Sequence, residues 1–237
     1  VGFLVRYLFS CLIDADRQDT ADFELPERVR LRSKRGSVSW SDLCGRLEKH
    51  LAGLGVGRDV DRIRQAVSAA CLEFASHSRG LYQLTVPTGG GKTLSSLRFA
   101  LHHARKHNMD RIIYVIPYTS IIDQNANVVR SILESQGEPF GSIVLENHSN
   151  LTPEEETPLQ RLLAENWDAP VVFITMVQFL EAILGHSTRD ARRMHQLANA
   201  VLIFDEIQTL PVRCVRLFNV AVRFLIKTCG SSVVLCT

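Results

Sequence analysis

A lysine and a threonine follow a run of glycines near the middle of this chain, in the stretch Thr88-Gly-Gly-Gly-Lys-Thr93. Glycines let backbone N–H groups converge on phosphate oxygens, and the N-terminus of a following helix adds a favourable dipole. Lys92 would hold the β and γ phosphates of a nucleotide, and the Thr93 hydroxyl would bind Mg²⁺. We therefore predict a binding site for ATP and Mg²⁺ made by Thr88, Gly89, Gly90, Gly91, Lys92 and Thr93. A glycine-rich turn without function is the alternative.

A pair of carboxylates is predicted to complete the same site. Residues 201–204 form an apolar run typical of a buried strand, and Asp205-Glu-Ile-Gln208 follows it. Phosphoryl transfer needs one acid to hold the metal, here Asp205, and one group to position or deprotonate the attacking water, here Glu206. We predict Lys92, Asp205, Glu206 and Gln208 as the catalytic residues. Two acids at a strand end can also be merely solvated, so the pair is informative only together with the glycine loop.

The segments around these motifs predict an α/β fold. After residue 80, short apolar runs alternate with segments of helical length, which is typical of a parallel sheet flanked by helices. Ligands of such sheets bind at the carboxyl ends of the strands, where both motifs fall. The predicted strands are residues 81–86, 111–116, 143–145, 171–174, 201–204 and 232–236.

The first eighty residues are predicted to be helical, with one irregular stretch. We expect a helix over 3–13 that ends at the acidic run 14–19, a helix over 39–54 with Ser39 or Ser41 as its cap, and another over 59–75. Between them, residues 28–35 hold five basic residues in eight. This run is predicted to be a linker or an exposed edge; it could bind DNA phosphates, but we favour a solvated role.

Composition narrows the class of protein. A hydrophobic fraction of 46% in 237 residues is enough for a buried core, and a net charge of +2 does not by itself indicate a nucleic-acid partner. The six cysteines lack zinc-site spacing and are predicted to be reduced thiols.

The chain has no apolar stretch of the roughly 20 residues that a membrane helix needs. We expect a soluble, cytoplasmic protein without a membrane partner and, because it lacks an initiating Met and ends in an apolar run, a fragment of a longer one.

Four stretches of the chain together resemble one family. They are residues 84–94 around the glycine loop, Tyr114-Val-Ile-Pro-Tyr-Thr-Ser-Ile-Ile-Asp-Gln-Asn125, residues 165–170, and Asp205-Glu-Ile-Gln-Thr-Leu-Pro211. The loop and the acidic motif resemble those of superfamily 2 DEAD/DEAH-type helicases, and the four stretches resemble the CRISPR-associated helicase–nucleases of type I systems, subtype I-C above all. Val86 departs from the strict phosphate-loop pattern, which has glycine there; the loop has the helicase form.

This resemblance implies a fold, an activity and partners. It implies a RecA-like P-loop domain over residues 61–237, preceded by a short helical segment, with a linker containing a helix over 23–60. The implied activity is that of an ATP-dependent DNA helicase or translocase that takes part in degrading foreign DNA. The implied partners are single-stranded DNA and an RNA-guided surveillance complex.

The start of the chain resembles the last helix of the HD nuclease domain in that family, which we place at residues 1–22. Asp14 is the predicted ligand of the divalent metal that serves the full-length nuclease domain, with Asp16 as its rival. One carboxylate cannot build a two-metal site, so we expect no nuclease activity from this chain alone. The second RecA-like domain and its arginine finger are also missing, so we expect ATP binding without efficient turnover.

The resemblance also implies which loops face DNA. Tyr118, Thr119 and Ser120 follow the second predicted strand, and Thr175 and Gln178 follow the fourth. Hydroxyl and backbone N–H groups suit phosphate contacts that do not depend on sequence. Capping of a helix by Thr119 or Ser120 is an equally good interpretation.

Other interpretations remain open at this stage. Gln65 could reach an adenine base from its helix or could simply be exposed to solvent, and His148 is more simply a hydrogen-bonded loop residue than a ligand. The whole chain could be a truncated ATP-binding or docking module without turnover. A kinase or transporter ATPase is disfavoured by the Asp-Glu-Ile-Gln motif and by the segment around Tyr118.

Overall fold

Six parallel strands form one sheet in the order β1-β6-β5-β2-β4-β3. The structure is a computed structural model that describes residues 2–24, 38–55, 57, 59–87, 89–147 and 163–237. The strands are β1 (Leu81–Leu84), β2 (Arg111–Ile116), β3 (Val144–Asn147), β4 (Val171–Thr175), β5 (Ala200–Phe204) and β6 (Ser232–Cys236). All six lie within two residues of the predicted bounds, and the predicted α/β fold is confirmed.

Helices cover both faces of this sheet. Short 3₁₀ turns at Met194–Leu197 and Ile207–Thr209 lead into and out of β5. The helices are α1 (Gly2–Glu24), α2 (Trp40–Ala52), α3 (Asp59–Phe74), α4 (Lys92–His107), α5 (Thr119–Leu133), α6 (Met176–Leu184), α7 (Thr188–Arg192) and α8 (Val212–Lys227). In the described part of the chain, every helix is too short or too polar to span a lipid bilayer.

The apolar core lies in two layers, one on each face of the sheet. Helices α2, α4 and α5 fill the first layer, with fully buried side chains such as Leu47, Leu101 and Ile122. Helices α6 and α8 fill the second, around Phe179 and Phe218. The central strands β5, β2 and β4 are buried on both faces and are therefore continuous apolar runs, whereas β1 at the edge of the sheet is exposed or only partly buried.

The first two helices depart from their simplest prediction. The helix predicted to end at residue 13 continues to Glu24, so that prediction was wrong. It continues because Asp14 of the acidic run points inward, where Arg192 Nε donates a hydrogen bond of 2.7 Å to it. Helix α2, inside the predicted linker, packs into the core of the sheet, and Trp40 Nε1 donates to the Met109 carbonyl at 2.7 Å.

Capping residues fix where two of the helices begin. Ser39 caps α2 through a capping box with Asp42, as one of the two sequence alternatives predicted. At α5 the N-cap is Tyr118, whose side chain makes no capping hydrogen bond, so capping by Thr119 or Ser120 is wrong. All six cysteines lie in the described ranges and carry free thiols, as predicted.

Candidate nucleotide and nucleic-acid site

The glycine loop joins β1 to α4 at the carboxyl edge of the sheet. Gly91 is the N-cap of α4 with a φ of 84°, a left-handed conformation that favours glycine. Gly90 is required for space, because a Cβ there would lie 2.4 Å from Val86 Cγ1 and 2.9 Å from the Pro87 carbonyl oxygen. Arg64 of α3 braces the loop from outside, since its Nε donates to the Gly89 carbonyl at 2.9 Å. The loop is therefore shaped by its neighbours and by its glycines.

The structure brings the loop and the acidic pair together. Lys92 Nζ lies 2.5 Å from Glu206 Oε1 and 3.5 Å from Asp205 Oδ1. Asp205 directly follows β5, and its N–H donates to the Val115 carbonyl of β2 at 3.0 Å. Glu206 has a φ of 48°, a left-handed backbone conformation that residues other than glycine seldom adopt and that often marks a functional turn. Gln208 is exposed, and its amide donates to the Glu206 carboxylate.

The three charged groups shift one another's ionisation. Burial lowers the pKa of Lys92, but its hydrogen bond to Glu206 and the charge of Asp205 outweigh burial and raise that pKa above its ordinary value. The same hydrogen bond lowers the pKa of Glu206. Burial raises the pKa of Asp205 despite the nearby ammonium group. Asp205 is thus a partly desolvated acid that a further cation would stabilise.

Oxygen atoms at this edge suit a hard divalent cation. The Asp205 carboxylate and the Thr93 hydroxyl are both ligands that Mg²⁺ accepts, alongside phosphate oxygens and water. Thr93 Oγ1 donates to Asn125 Oδ1 of α5 at 3.3 Å. Asn125 was not among the predicted site residues, although it belongs to one of the stretches that carry the family resemblance. The contact of Asn125 with Thr93 links the glycine loop to α5, the helix that follows the predicted DNA-facing loop.

A cavity of about 660 Å³ lies next to the glycine loop. Gln65 and Ser68 of α3 line it on one side, and Gly91 and Arg98 line it on another. Gln65 is exposed and faces this cavity, and its contact with an adenine base stays a prediction. A cavity of this size is sufficient for a nucleoside.

The two loops predicted to contact DNA lie side by side at the same edge. Strands β2 and β4 are paired so that Ile116 is opposite Thr175, which places the loops after them next to each other. Tyr118 is 56% exposed, Ser120 is exposed and Thr119 is partly buried. The first loop therefore presents an aromatic ring and a hydroxyl group to solvent.

Thr175 and Gln178 form a capping box at the start of α6. Gln178 N donates to Thr175 Oγ1 at 3.1 Å, and Thr175 N donates to Gln178 Oε1 at 3.0 Å. Gln178 Nε2 also donates to Asn147 Oδ1 of β3 at 2.5 Å. Both side chains thus have structural partners, and the sequence pattern Thr-x-x-Gln could have shown this. DNA contact by these two residues stays a prediction.

Asp14 lies in an ion-pair cluster away from the glycine loop. Its carboxylate accepts from Arg192 Nε at 2.7 Å and lies 3.3 Å from His195 Nε2. Burial raises the pKa of Asp14, but the hydrogen bonds and charges of His195 and Arg192 outweigh it and lower the pKa. Among the described residues there is no group of three or more His, Cys, Asp or Glu side chains placed to hold a metal. Metal binding by Asp14 or Asp16 stays a prediction.

Three sequence predictions lie outside the described residues: Thr88 of the glycine loop, the basic run at residues 28–35, and His148. Nothing in the structure tests them. The other residues predicted for catalysis, nucleotide binding and DNA contact lie at the carboxyl edge of the sheet, with Gln65 on α3 beside the glycine loop, whereas Asp14 and Asp16 lie on α1.

The sheet, with the glycine loop and the acidic pair at its carboxyl edge, defines the class: an α/β domain of the RecA-like fold. A family model described as "Type III restriction enzyme, res subunit" matches residues 60–211. Because that match spans more than half of the chain, the chain belongs to this family.

Individual relatives agree with this assignment. The CRISPR-associated nuclease/helicase Cas3 of Haloferax volcanii is 28% identical over 147 residues, which are 54% of this chain and 16% of that protein. The crystal structure of T. fusca Cas3-ADP matches with a TM-score of 0.65 at 23% identity, over 81% of this chain and 22% of that one. The DNA-bound DUF1998 helicase MrfA matches with a TM-score of 0.54 at 16% identity, over 81% of this chain and 26% of that one. The chain thus spans at most about a quarter of these relatives, and the solved structures show a shared fold.

Proposed function

We propose that this chain is the ATP-binding part of a DNA helicase or translocase, within a CRISPR-associated helicase–nuclease. The observation that carries this proposal is the contact of Lys92 with Glu206 and Asp205 beside a glycine loop at the carboxyl edge of a RecA-like sheet. Similarity to proteins described as Cas3, including structures named for ADP and ATP, supports both the nucleotide and the family.

In the proposed function, each residue has one task. The backbone of Gly89, Gly90 and Gly91 surrounds the phosphates. Lys92 exchanges its contact with Glu206 for contacts with the β and γ phosphates. Thr93 and Asp205 hold Mg²⁺, which neutralises charge on the phosphates when it is bound.

Glu206 and Gln208 act on the attacking water in this proposal. Once Lys92 turns to the phosphates, Glu206 loses its cationic partner and becomes free to accept a proton. Gln208 is already hydrogen-bonded to Glu206 and would keep its carboxylate in position. The exposed side chains of the loop after β2 would contact single-stranded DNA.

Nucleotide affinity with and without Lys92 tests the ATP site. We expect Lys92→Ala to weaken Mg²⁺-ATP binding by roughly 100-fold, because a charged hydrogen-bond donor to phosphate contributes about 3 kcal/mol. Arg62→Ala removes an exposed cation of α3 as a matched control and should leave the affinity unchanged. Titration calorimetry with ATP measures both, and equal affinity of wild type and Lys92→Ala would refute the site.

Turnover separates a motor from a binding module. Hydrolysis stimulated by single-stranded DNA would support a motor that works without further domains. Binding of ATP without hydrolysis would support the truncated binding module instead, with turnover left to the longer protein. Recruitment by an RNA-guided surveillance complex is proposed from the family resemblance alone; co-purification of the longer protein with such a complex would test it.

A further inference from the structure

The helix that follows the acidic pair has one face that carries only positive charge. Phe218, Ala221, Val222 and Leu225 of α8 are buried against the sheet. The opposite side carries four exposed cations within about a quarter of the helix circumference, as the helical repeat of 3.6 residues requires. We call these four residues the α8 basic face: Arg213, Arg216, Arg223 and Lys227.

No acid among the described residues forms an ion pair with these cations. No Asp or Glu occurs between residues 207 and 237. Because the whole chain has a net charge of only +2, this face is a local concentration of charge and not a reflection of the average.

Helix α8 lies beside α6, which follows a segment predicted to contact DNA, and α8 itself begins just after the acidic pair at the carboxyl edge. Phe218 of α8 packs against Phe179 of α6, with ring centroids 6.1 Å apart, and both rings pack against Phe204 of β5. Helix α6 begins at Thr175 on the carboxyl edge of the sheet. From Arg213 to Lys227 the face extends about 21 Å along the helix axis, at 1.5 Å per residue.

We propose that the α8 basic face is a second contact for single-stranded nucleic acid, which binds the sugar–phosphate backbone along α8, from the carboxyl edge of the sheet, where the helix begins, toward the opposite edge. This inference rests on the proposed function, since that function supplies the strand. A row of cations without an ion-pair partner in the described part of the chain complements the repeated charge of a phosphate backbone, and it reads no sequence, as a strand that moves through a motor requires. The exposed apolar residues between the cations, such as Leu217 and Val220, would contact sugars and bases.

The salt dependence of DNA binding tests this proposal. Each phosphate contact on a single strand contributes about 0.7 to the slope of log affinity against log salt concentration. We therefore expect the variant Arg216→Gln/Arg223→Gln to lower that slope by about 1.4, with weaker binding at low salt. Fluorescence anisotropy of a labelled oligodeoxythymidine of about 30 nucleotides measures the affinity at each salt concentration. This length exceeds the roughly 4–16 nucleotides that a single OB-fold domain covers on single-stranded DNA. Arg62→Gln/Lys106→Gln, with the same loss of charge at two exposed positions elsewhere, is the matched control.

Several outcomes overturn the inference. They are an unchanged slope in the α8 variant, an equal fall in the control, and a wild type that does not bind the oligonucleotide. Displacement of the DNA by polyglutamate at equal charge concentration would indicate an acidic protein partner and would also overturn it. If Mg²⁺-ATP binding depends on Lys92 in any of these cases, the nucleotide site of the proposed function survives while the α8 contact fails.

Discussion

Two clusters of opposite charges tie distant parts of this chain together, and they differ in how far water reaches them. In the first, the side chains of Lys92 and Glu206 are 18% and 35% exposed. In the second, the side chains of Arg192 and Asp14 are 11% and 7% exposed. A charge near water can exchange one partner for another at low cost, whereas a buried charge that loses its partner is strongly destabilising. The same chemistry can therefore serve ligand exchange in one place and permanent attachment in the other.

Backbone conformation separates the two clusters as well. Gly91 and Glu206 flank the first cluster with φ values of 84° and 48°, both in the left-handed region. Asp14 and Arg192 of the second cluster lie within the regular helices α1 and α7. Strained backbone is retained where function needs a particular geometry. The contrast supports a functional first cluster and a structural second one.

The largest expected effect is on stability. Asp14→Ala should lower the free energy of unfolding by about 3 kcal/mol, because buried Arg192 loses its nearer carboxylate and keeps only the longer contact of 3.8 Å with Glu165. Lys92→Ala should change it by no more than about 1 kcal/mol, because its pair is partly exposed. Urea denaturation measures both. Asp16→Ala, on the exposed side of α1, is the control. Equal effects of Asp14→Ala and Asp16→Ala would contradict a structural role of the Asp14 cluster.

A smaller effect is expected on nucleotide affinity. Glu206→Gln removes both the competitor for Lys92 and a negative charge that repels the triphosphate, so Mg²⁺-ATP should bind about tenfold more tightly, or about 1.4 kcal/mol. The equivalent change in the second cluster, Asp14→Asn, should leave the affinity unchanged. Calorimetric titration of both variants checks this. Weaker binding by Glu206→Gln would show that the carboxylate helps to hold the nucleotide and does not compete with it.

The smallest effects are expected at the two ends of the pH scale. The pKa of Asp14 is lowered in the folded chain, so its stabilisation is complete above the unfolded value of about 3.9 and is lost as pH falls through the folded value. The pKa of Lys92 is raised, so its stabilisation is complete below about 10.4 and is lost as pH rises through the folded value. Asp14→Asn should therefore flatten the acid limb of a stability profile and Lys92→Met the alkaline limb. A change of the opposite limb in either variant would contradict the assignment.

Sequence alone predicted the elements whose signals are local. Most of the strands are continuous apolar runs, and the glycine loop and the acidic pair each follow a strand, so the strand bounds and the contact of Lys92 with Glu206 could be predicted together. Ser39 as a cap also follows from neighbouring residues. These features depend on a few consecutive side chains and on the general geometry of parallel sheets.

Features that depend on distant partners were missed. The acidic run of α1 predicts a helix end from sequence. The helix continues through it because Asp14 faces inward and contacts Arg192, which is 178 positions away in sequence. Asn125 gains its contact with Thr93 only when α5 packs beside α4. The start of α5 at Tyr118 likewise has no side-chain capping signal. No pattern in neighbouring residues encodes such contacts.

The crowding of Val86 and Gly90 bears on how this loop can vary. Val86 is 4% exposed, and its Cγ1 occupies the space that a side chain at position 90 would need. The strict phosphate-loop pattern has glycine at position 86 and leaves position 90 unrestricted. A glycine at position 86 would remove the conflict with Val86 Cγ1, but the Pro87 carbonyl oxygen would still lie 2.9 Å from a Cβ at position 90. Val86→Gly should therefore ease, but not remove, the crowding that a larger residue at position 90 would meet, because the backbone at Pro87 would also have to shift.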